Sequence, residues 1–390
     1  MERPPVFTRN FVLCTVISFF FTVFFFMFYT GMASYSKDIL GASTAMAGFT
    51  ASIFIIGDLI SRLYFGGKFD RFGRKRIVVI FLILGTMMSL LYFVADSVAE
   101  VCAVRFVHGL TYGAMASAVN TIVAESLPAS RRGEGMGYFM LSLSIGSALG
   151  PFICMYLQGS GDYNDIFTIG VIASLGALVT SLFIKDAGRP VVDAGREHVS
   201  GSQYYERSAL PICLVTFVFF FSYSGVLSFI APYGAEIGLY DYATFFFVTL
   251  SVGTLICRLF LGRIYDVRGE NWALIPMFIL YILGMVLIGT TGNGIVLLLG
   301  GMMIGFNIAQ LNSVGQAVVV RDAGPERVGV AVSMFCIFMD MAYAIGAIVN
   351  GGIIDLLGYR GNYLLMAGLG LLSLVMYVVL HGISHRGRTV

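Results

Sequence analysis

The sequence predicts an all-α membrane protein, with twelve transmembrane helices in two pseudo-symmetric six-helix bundles, on its composition, its apolar runs and an internal repeat. Of 390 residues, 58% are hydrophobic and only 12% charged, whereas soluble domains carry about a quarter charged residues. A bilayer crossing takes about 20 apolar residues. Twelve such runs fall near 10–33, 45–66, 77–96, 99–122, 133–157, 163–184, 209–234, 242–262, 272–291, 294–319, 327–350 and 361–381. Gly57 to Gly73 (GDLISRLYFGGKFDRFG) and Gly253 to Gly269 (GTLICRLFLGRIYDVRG) agree at eight of 17 positions with an offset of 196.

The repeat extends beyond that segment. Phe25, Phe26, Tyr29, Gly31 and Ser34 of the first run match Phe219, Phe220, Tyr223, Gly225 and Ser228 of the seventh. Gly109, Gly113 and Asn120 of the fourth match Gly301, Gly305 and Asn312 of the tenth. Each run thus pairs with the run six places later. An even separation keeps both halves in one orientation, the parallel repeat of two bundles around a midplane site. The expected organisation is a bundle at 1–184, a polar linker at 185–208, part of which could lie as an interfacial helix, and a bundle at 209–390.

The first run follows Arg3 and Arg9 and ends near small residues, as a secretory signal would, but its apolar stretch is too long and further spans follow. It reads as a retained helix. Lys and Arg accumulate on the cytoplasmic side. With both termini inside, only Lys37 and Arg360 lie in external segments and Arg62, Arg105 and Arg258 within spans, so 19 of 24 Lys and Arg are cytoplasmic. In the second run Asp58 precedes Arg62 by one helical turn, the spacing of an i,i+4 ion pair.

After the second run comes Gly66-Gly67-Lys68-Phe69-Asp70-Arg71-Phe72-Gly73-Arg74-Lys75-Arg76, one carboxylate among five cations. Asp70 can accept from a helix N-terminus or pair with a neighbouring Arg, holding one conformation as a latch. A basic topology loop explains the cations but not the spacing of Gly66, Asp70 and Gly73. This loop resembles the signature G-x-x-x-D-R-x-G-R-[RK]-[RK] of the major facilitator superfamily, with a degraded second copy at Gly262, Asp266 and Gly269 in which Val267 replaces Arg71. The resemblance covers the whole chain. It implies the major facilitator fold, a transporter rather than an enzyme, no cofactor, and a latch involving Gly66, Asp70, Arg71, Gly73, Arg74, Asp58, Arg62 and Asp266.

The fourth run places Arg105, His108 and Tyr112 on one helical face. This is similar to the R-x-x-x-G motif of the superfamily's proton-coupled antiporters, which implies a proton-coupling role for Arg105, with His108 on the same face a second candidate. An Arg inside the bilayer costs about 2.5–3.5 kcal/mol on insertion scales, so it should meet a polar cavity or a partner. Snorkelling of Arg105 to the interface and simple packing of His108 remain open. Ser126 to Gly137 resembles the loop before the fifth helix of bacterial exporters. The fifth run then carries Gly137, Gly146, Gly150 and Pro151, which looks like the superfamily's antiporter signature except that Cys154 and Met155 replace the closing glycines. Glycines also serve ordinary close packing of helices.

In the eleventh run Asp340 lies near mid-membrane with no basic residue within a turn. An ionisable residue there is a functional candidate by default, here as proton carrier or substrate contact. By analogy with the family, the first, fourth, seventh and tenth helices line the substrate cavity. They offer Phe25, Tyr29, Tyr112, Asn120, Phe219, Tyr223, Asn307, Gln310 and Asn312. Aromatics with a few amides suit an amphipathic organic molecule, although such rings also pack in cores or face lipid.

The six cysteines fall inside spans without metal-ligand spacing, and no metal site is expected. No catalytic or nucleic-acid-binding pattern is present. The expectation is a proton-coupled exporter of a small drug or metabolite, acting by alternating access as a monomer in the inner (cytoplasmic) membrane. The alternative is a facilitator or proton-coupled importer of a metabolite or sugar.

Overall fold

A computed structural model describes residues 4–65, 73–128, 131–159, 161–185, 205–323 and 327–382, which contain helices and no strand. The chain divides into two compact units, Met1–Ala42 with Thr50–Ala194, and Ser43–Phe49 with Gly195–Val390. Unit 1 contains α1 (Arg9–Asp38), most of α2 (Thr44–Phe65), α3 (Arg74–Leu91), α4 (Val98–Ser126), α5 (Arg132–Gln158) and α6 (Asn164–Leu182). Unit 2 contains α7 (Leu210–Glu236), the short α8 (Tyr240–Thr244), α9 (Phe246–Arg268), α10 (Glu270–Thr290), α11 (Gly294–Asp322) and α12 (Val328–Tyr377).

Local chemistry sets the helix ends. Thr8 caps α1 by accepting from the Phe11 N–H at 3.3 Å. Ser97 and Glu100 form a reciprocal capping box at α4, and the Asn293 side chain accepts from the Ile295 N–H at α11. The eleventh and twelfth runs are separated not by a loop but by one residue. α12 runs 50 residues through Gly358, whose φ of 70° interrupts an otherwise helical backbone. A side chain is disfavoured at that φ, so one glycine joins two helices end to end.

Nine helical stretches among the described residues are long and apolar enough to cross a membrane, the last of them the 54-residue Val328–His381 with its internal break. α3 and α4 fall outside that group. α3 opens on Arg74, Lys75 and Arg76, and α4 carries Glu100, Arg105, His108, Asn120 and Glu125.

Packing shows the repeat directly, with a register that differs from the one read by spacing. A Cβ on Gly109 would stand 2.0 Å from the Phe54 carbonyl oxygen, and one on Gly305 would stand 1.9 Å from that of Leu250. Phe54 and Leu250 share the offset of the α2/α9 repeat, so Gly109 corresponds to Gly305. Gly301 then corresponds to Arg105, and Asn120 and Asn312 are not equivalents. Glycines recur four residues apart on both helices, so a slip of one turn preserves the glycine match. Only the α2–α4 and α9–α11 contacts fix the register. Gly73 and Gly269 also repeat, each preceding its helix at a φ of 82° and 83°.

Candidate functional site

The polar centre of unit 1 is assembled by the close crossing of α2 and α4. Gly57 faces the Phe106 carbonyl and Gly109 faces that of Phe54, with no room for a Cβ at either. The contact brings the Ala51 carbonyl and the Phe54 ring onto Arg105. Arg105 is 1% exposed. Its Nη2 donates to Ala51 O at 2.7 Å, and its Cζ lies 5.6 Å from the centroid of Phe54. Its Nε and Nη1 have no hydrogen-bond partner among the described residues. A desolvated cation–π contact contributes about 2 kcal/mol and a hydrogen bond from a charged donor about 1.5–3 kcal/mol. Together they offset part of the burial cost without supplying a counter-charge.

His108, one turn along, is fully buried. Its ring lies 4.7 Å from that of Phe24 and 5.6 Å from that of Phe54, and Nδ1 stands 3.5 Å from the Tyr92 hydroxyl. Nε2 has no hydrogen-bond partner among the described residues. It lies over Gly85, where a Cβ would approach it to 3.6 Å. The half-buried Tyr112 stacks on Phe25 at 6.1 Å and lies 5.4 Å from Phe54, while Phe25 lies 5.8 Å from Tyr29. The structure thus brings together Arg105, His108, Tyr112, Phe25 and Tyr29. It adds Phe54, Tyr92 and Gly85, which no sequence motif marks. Asn120 lies apart from this group and is exposed.

Asp58 and Arg62 pair at 2.6 Å, with Asp58 only 3% exposed and seated against Gly113, where a Cβ would stand 2.6 Å from Oδ1. At the equivalent positions of α9, Thr254 donates to Gly305 O at 3.0 Å and Arg258 has no partner at its Nε among the described residues.

Of the expected latch, Gly66, Asp70 and Arg71 lie outside the described residues, as does the side chain of Asp266. Gly73 and Arg74 open α3, and Arg74 pairs with Glu125 at the end of α4. At the offset of 196 the same two places in unit 2 hold Glu270 and Arg321, paired at 2.8 Å with the charges exchanged. His381 Nε2 joins Glu270 at 2.9 Å, and Arg321 also reaches Asp322 at 2.8 Å.

The α5 glycines differ in surroundings. A Cβ on Gly150 would lie 2.6 Å from Val23 O and 2.8 Å from Met27 N, and one on Gly146 3.0 Å from Thr22 Cβ, so both seat α5 on α1. Pro151 follows within the helix. Gly137 is exposed with nothing near its Cβ position. Cys154, where the family pattern has a glycine, meets Gly31 of α1, whose Cβ would stand 2.7 Å from its Sγ. The small residue required at that crossing sits on the facing helix.

In unit 2, Asn307 is fully buried with neither amide atom paired among the described residues, and one turn on Gln310 leaves its Nε2 unpaired while its Oε1 lies 3.7 Å from Cys257 Sγ. Asn312 accepts from Gln316 Nε2 at 3.0 Å. Phe219 is fully buried against Tyr281, with ring centroids 4.5 Å apart, inside its own unit. Tyr223 is buried near Tyr343, 6.2 Å between rings. Asp340 is half-buried in the stretch of α12 before Gly358.

Comparison with known proteins agrees with this architecture. The family model described as Major Facilitator Superfamily matches residues 14–248 and 212–389. Multidrug resistance protein 2 of Bacillus subtilis (strain 168) is 25% identical over 252 residues, 62% of this chain and 62% of that protein, so the match spans less than two thirds of it. An MFS-type transporter of Methanocaldococcus jannaschii is 22% identical over 341 residues, 85% of this chain and 88% of its own. Among solved structures, a mutant of the nucleoside transporter NupG superposes with a TM-score of 0.83 at 13% identity, covering 95% of this chain and 100% of that one. With the family model matched along both units of a multi-pass helical chain, this protein belongs to the Major Facilitator Superfamily and is a transporter, not an enzyme.

Proposed function

We propose that the protein is a secondary active transporter that exports a small amphipathic organic molecule in exchange for protons. It works by alternating access of its two units, as a monomer in the inner membrane with both termini cytoplasmic. The observation that carries this reading is the α4 centre, where Arg105 and His108 are buried with the Phe54 ring beside both, and Phe54 packs in turn on Phe25 and Tyr112. Polar groups kept in an apolar helix at a cost of several kcal/mol mark function in a membrane protein. The seating of Gly146 and Gly150 on α1 and the kinship with a multidrug resistance protein favour export. Asp340 is the proton carrier in this reading. Within unit 2, Asn307 and Gln310, buried with unpaired amide atoms among the described residues, are the polar candidates for cargo contact, and Gly66, Asp70, Arg71, Gly73, Arg74, Asp58, Arg62 and Asp266 are the residues assigned to the conformational latch.

The test is compound-induced proton movement in proteoliposomes holding the purified protein, with a panel of amphipathic drugs and metabolites, in wild type, Asp340→Asn and Arg105→Ala. Coupled flux lost in either variant supports antiport. Compound movement without proton flux, unchanged in both variants, leaves a facilitator and overturns the proposal.

A further inference from the structure

Two buried charged side chains of unit 1, Asp58 and Arg105, differ in the counter-charge they meet among the described residues. Asp58 is committed to Arg62 at 2.6 Å. Arg105 has no carboxylate acting on it among the described residues. Its neighbours are the Phe54 ring, the phenol of Tyr92, which also lies in hydrogen-bond reach of the guanidinium, the phenol of Tyr29 and the thiol of Cys102, none of them a carboxylate. Nor can the guanidinium shed its proton. One of its nitrogens is used on Ala51 O, and donors remain on Nε and Nη1. A buried cation without a partner is the costly case for an ion in a low-dielectric interior, and an anion brought from outside relieves it.

We propose that Arg105 is the anchoring cation of the cargo site and that the cargo is an organic monoanion, a carboxylate carried on an aromatic or otherwise apolar body. This rests on the reading of the α1–α4 centre as part of the cargo site. One uncompensated cation calls for one negative charge, and a carboxylate offers acceptor oxygens to the free donors. The surroundings set the rest of the ligand. Phe25, Phe54 and Tyr112 lie within 5.4–6.1 Å of one another and form an aromatic wall leading to the guanidinium, with Phe25 and Tyr112 half-buried at its rim. Such a wall suits a ring and cannot replace the water shell of phosphate or another strongly hydrated anion. The hollow of about 220 Å³ beyond Tyr92 is lined by Asp96 and Asp162 and repels an anion. The approach is therefore from the Phe25–Tyr112 side. At the place of Arg105 unit 2 has Gly301, and Arg258, whose Nε is unpaired among the described residues, is the counterpart of Arg62 and not of Arg105, so the anchor belongs to unit 1.

The experiment is binding to the full chain in nanodiscs, by thermal unfolding and calorimetric titration, of benzoate, cinnamate and 1-naphthoate, each beside its carboxamide and its ammonium analogue. At least one carboxylate is expected to raise the melting temperature while its amide and ammonium partners do not. Arg105→Gln should weaken that carboxylate about tenfold or more, and Arg105→Lys, which keeps the charge, should retain part of the affinity. The proposal is overturned if no carboxylate binds, if amides or ammonium compounds bind as well, or if Arg105→Gln leaves carboxylate affinity intact. The head-group comparison is made on wild type and decides even where a variant does not fold. Because binding needs neither proton coupling nor direction, anion binding without proton exchange keeps this inference and rejects the antiporter. Proton-coupled movement of cations or neutral compounds does the reverse.

Discussion

Asp58 and Arg105 are 3% and 1% exposed, yet they occupy opposite electrostatic situations. Asp58 meets its counter-ion one turn along its own helix, whereas among the described residues Arg105 meets rings, hydroxyls, a thiol and a carbonyl. The glycines of α5 show a parallel contrast, in packing rather than charge. A methyl group on Gly150 collides with the backbone of α1, so Gly150→Ala is expected to lower stability by about 1–3 kcal/mol, the usual penalty of overpacking. Gly137 has open space, and Gly137→Ala should raise stability by about 0.5–1 kcal/mol through helix propensity. Unfolding of the two variants in detergent checks both, and equal destabilisation would remove the distinction.

The ends of α3 with α4 and of α10 with α11 carry the same ion pair in opposite polarity, Arg74–Glu125 and Glu270–Arg321. What the fold requires there is complementarity, not a given sign. Arg74→Glu and Glu125→Arg should each impair transport, and the double exchange, which gives unit 1 the polarity of unit 2, should recover a substantial part. A double variant no better than either single variant would show that Arg74 has a partner for which sign matters. The segment before α7 is tied to the start of α12 by Glu206, which pairs with Arg327, accepts from Ser208 Oγ at 2.8 Å, and is held below its ordinary pKa chiefly by the Arg327 hydrogen bond. A carboxyl depressed by folding contributes its stability above the unfolded value and loses it as pH falls through the folded one. Amide protection around residues 205–208, measured relative to the intrinsic exchange rate at each pH, should therefore fall as pH drops below about 4.5, the ordinary carboxyl range. In Glu206→Gln that protection should be low at every pH, and a pH-dependent protection surviving in the variant would assign the response elsewhere.

For the molecule as a whole, the proposed orientation predicts which side each loop faces. With the native cysteines replaced, Gly292→Cys, in open space between α10 and α11, should react with an impermeant thiol reagent on intact cells. Arg207→Cys, exposed before α7, should react only after permeabilisation, and the reverse pattern would invert the topology. Membrane class and helix positions were legible in composition and run length, because a hydrocarbon solvent imposes those features on any chain that crosses it, while the repeat was legible in the paired segments and the family in the resemblance of the loop at 66–76. The i,i+4 spacing likewise announced Asp58 with Arg62. Other features depend on which atoms meet across two helices. The fusion of the last two spans through Gly358, the one-turn register of α4 on α11, the replacement of a family glycine by Cys154 facing Gly31, and the aromatic enclosure of Arg105 by Phe54 and Tyr92 are all of that kind. Periodicity along one helix shows which residues share a face. What that face touches is settled by close packing between helices, where a glycine on either side serves equally well and a charge may or may not find its counter-ion.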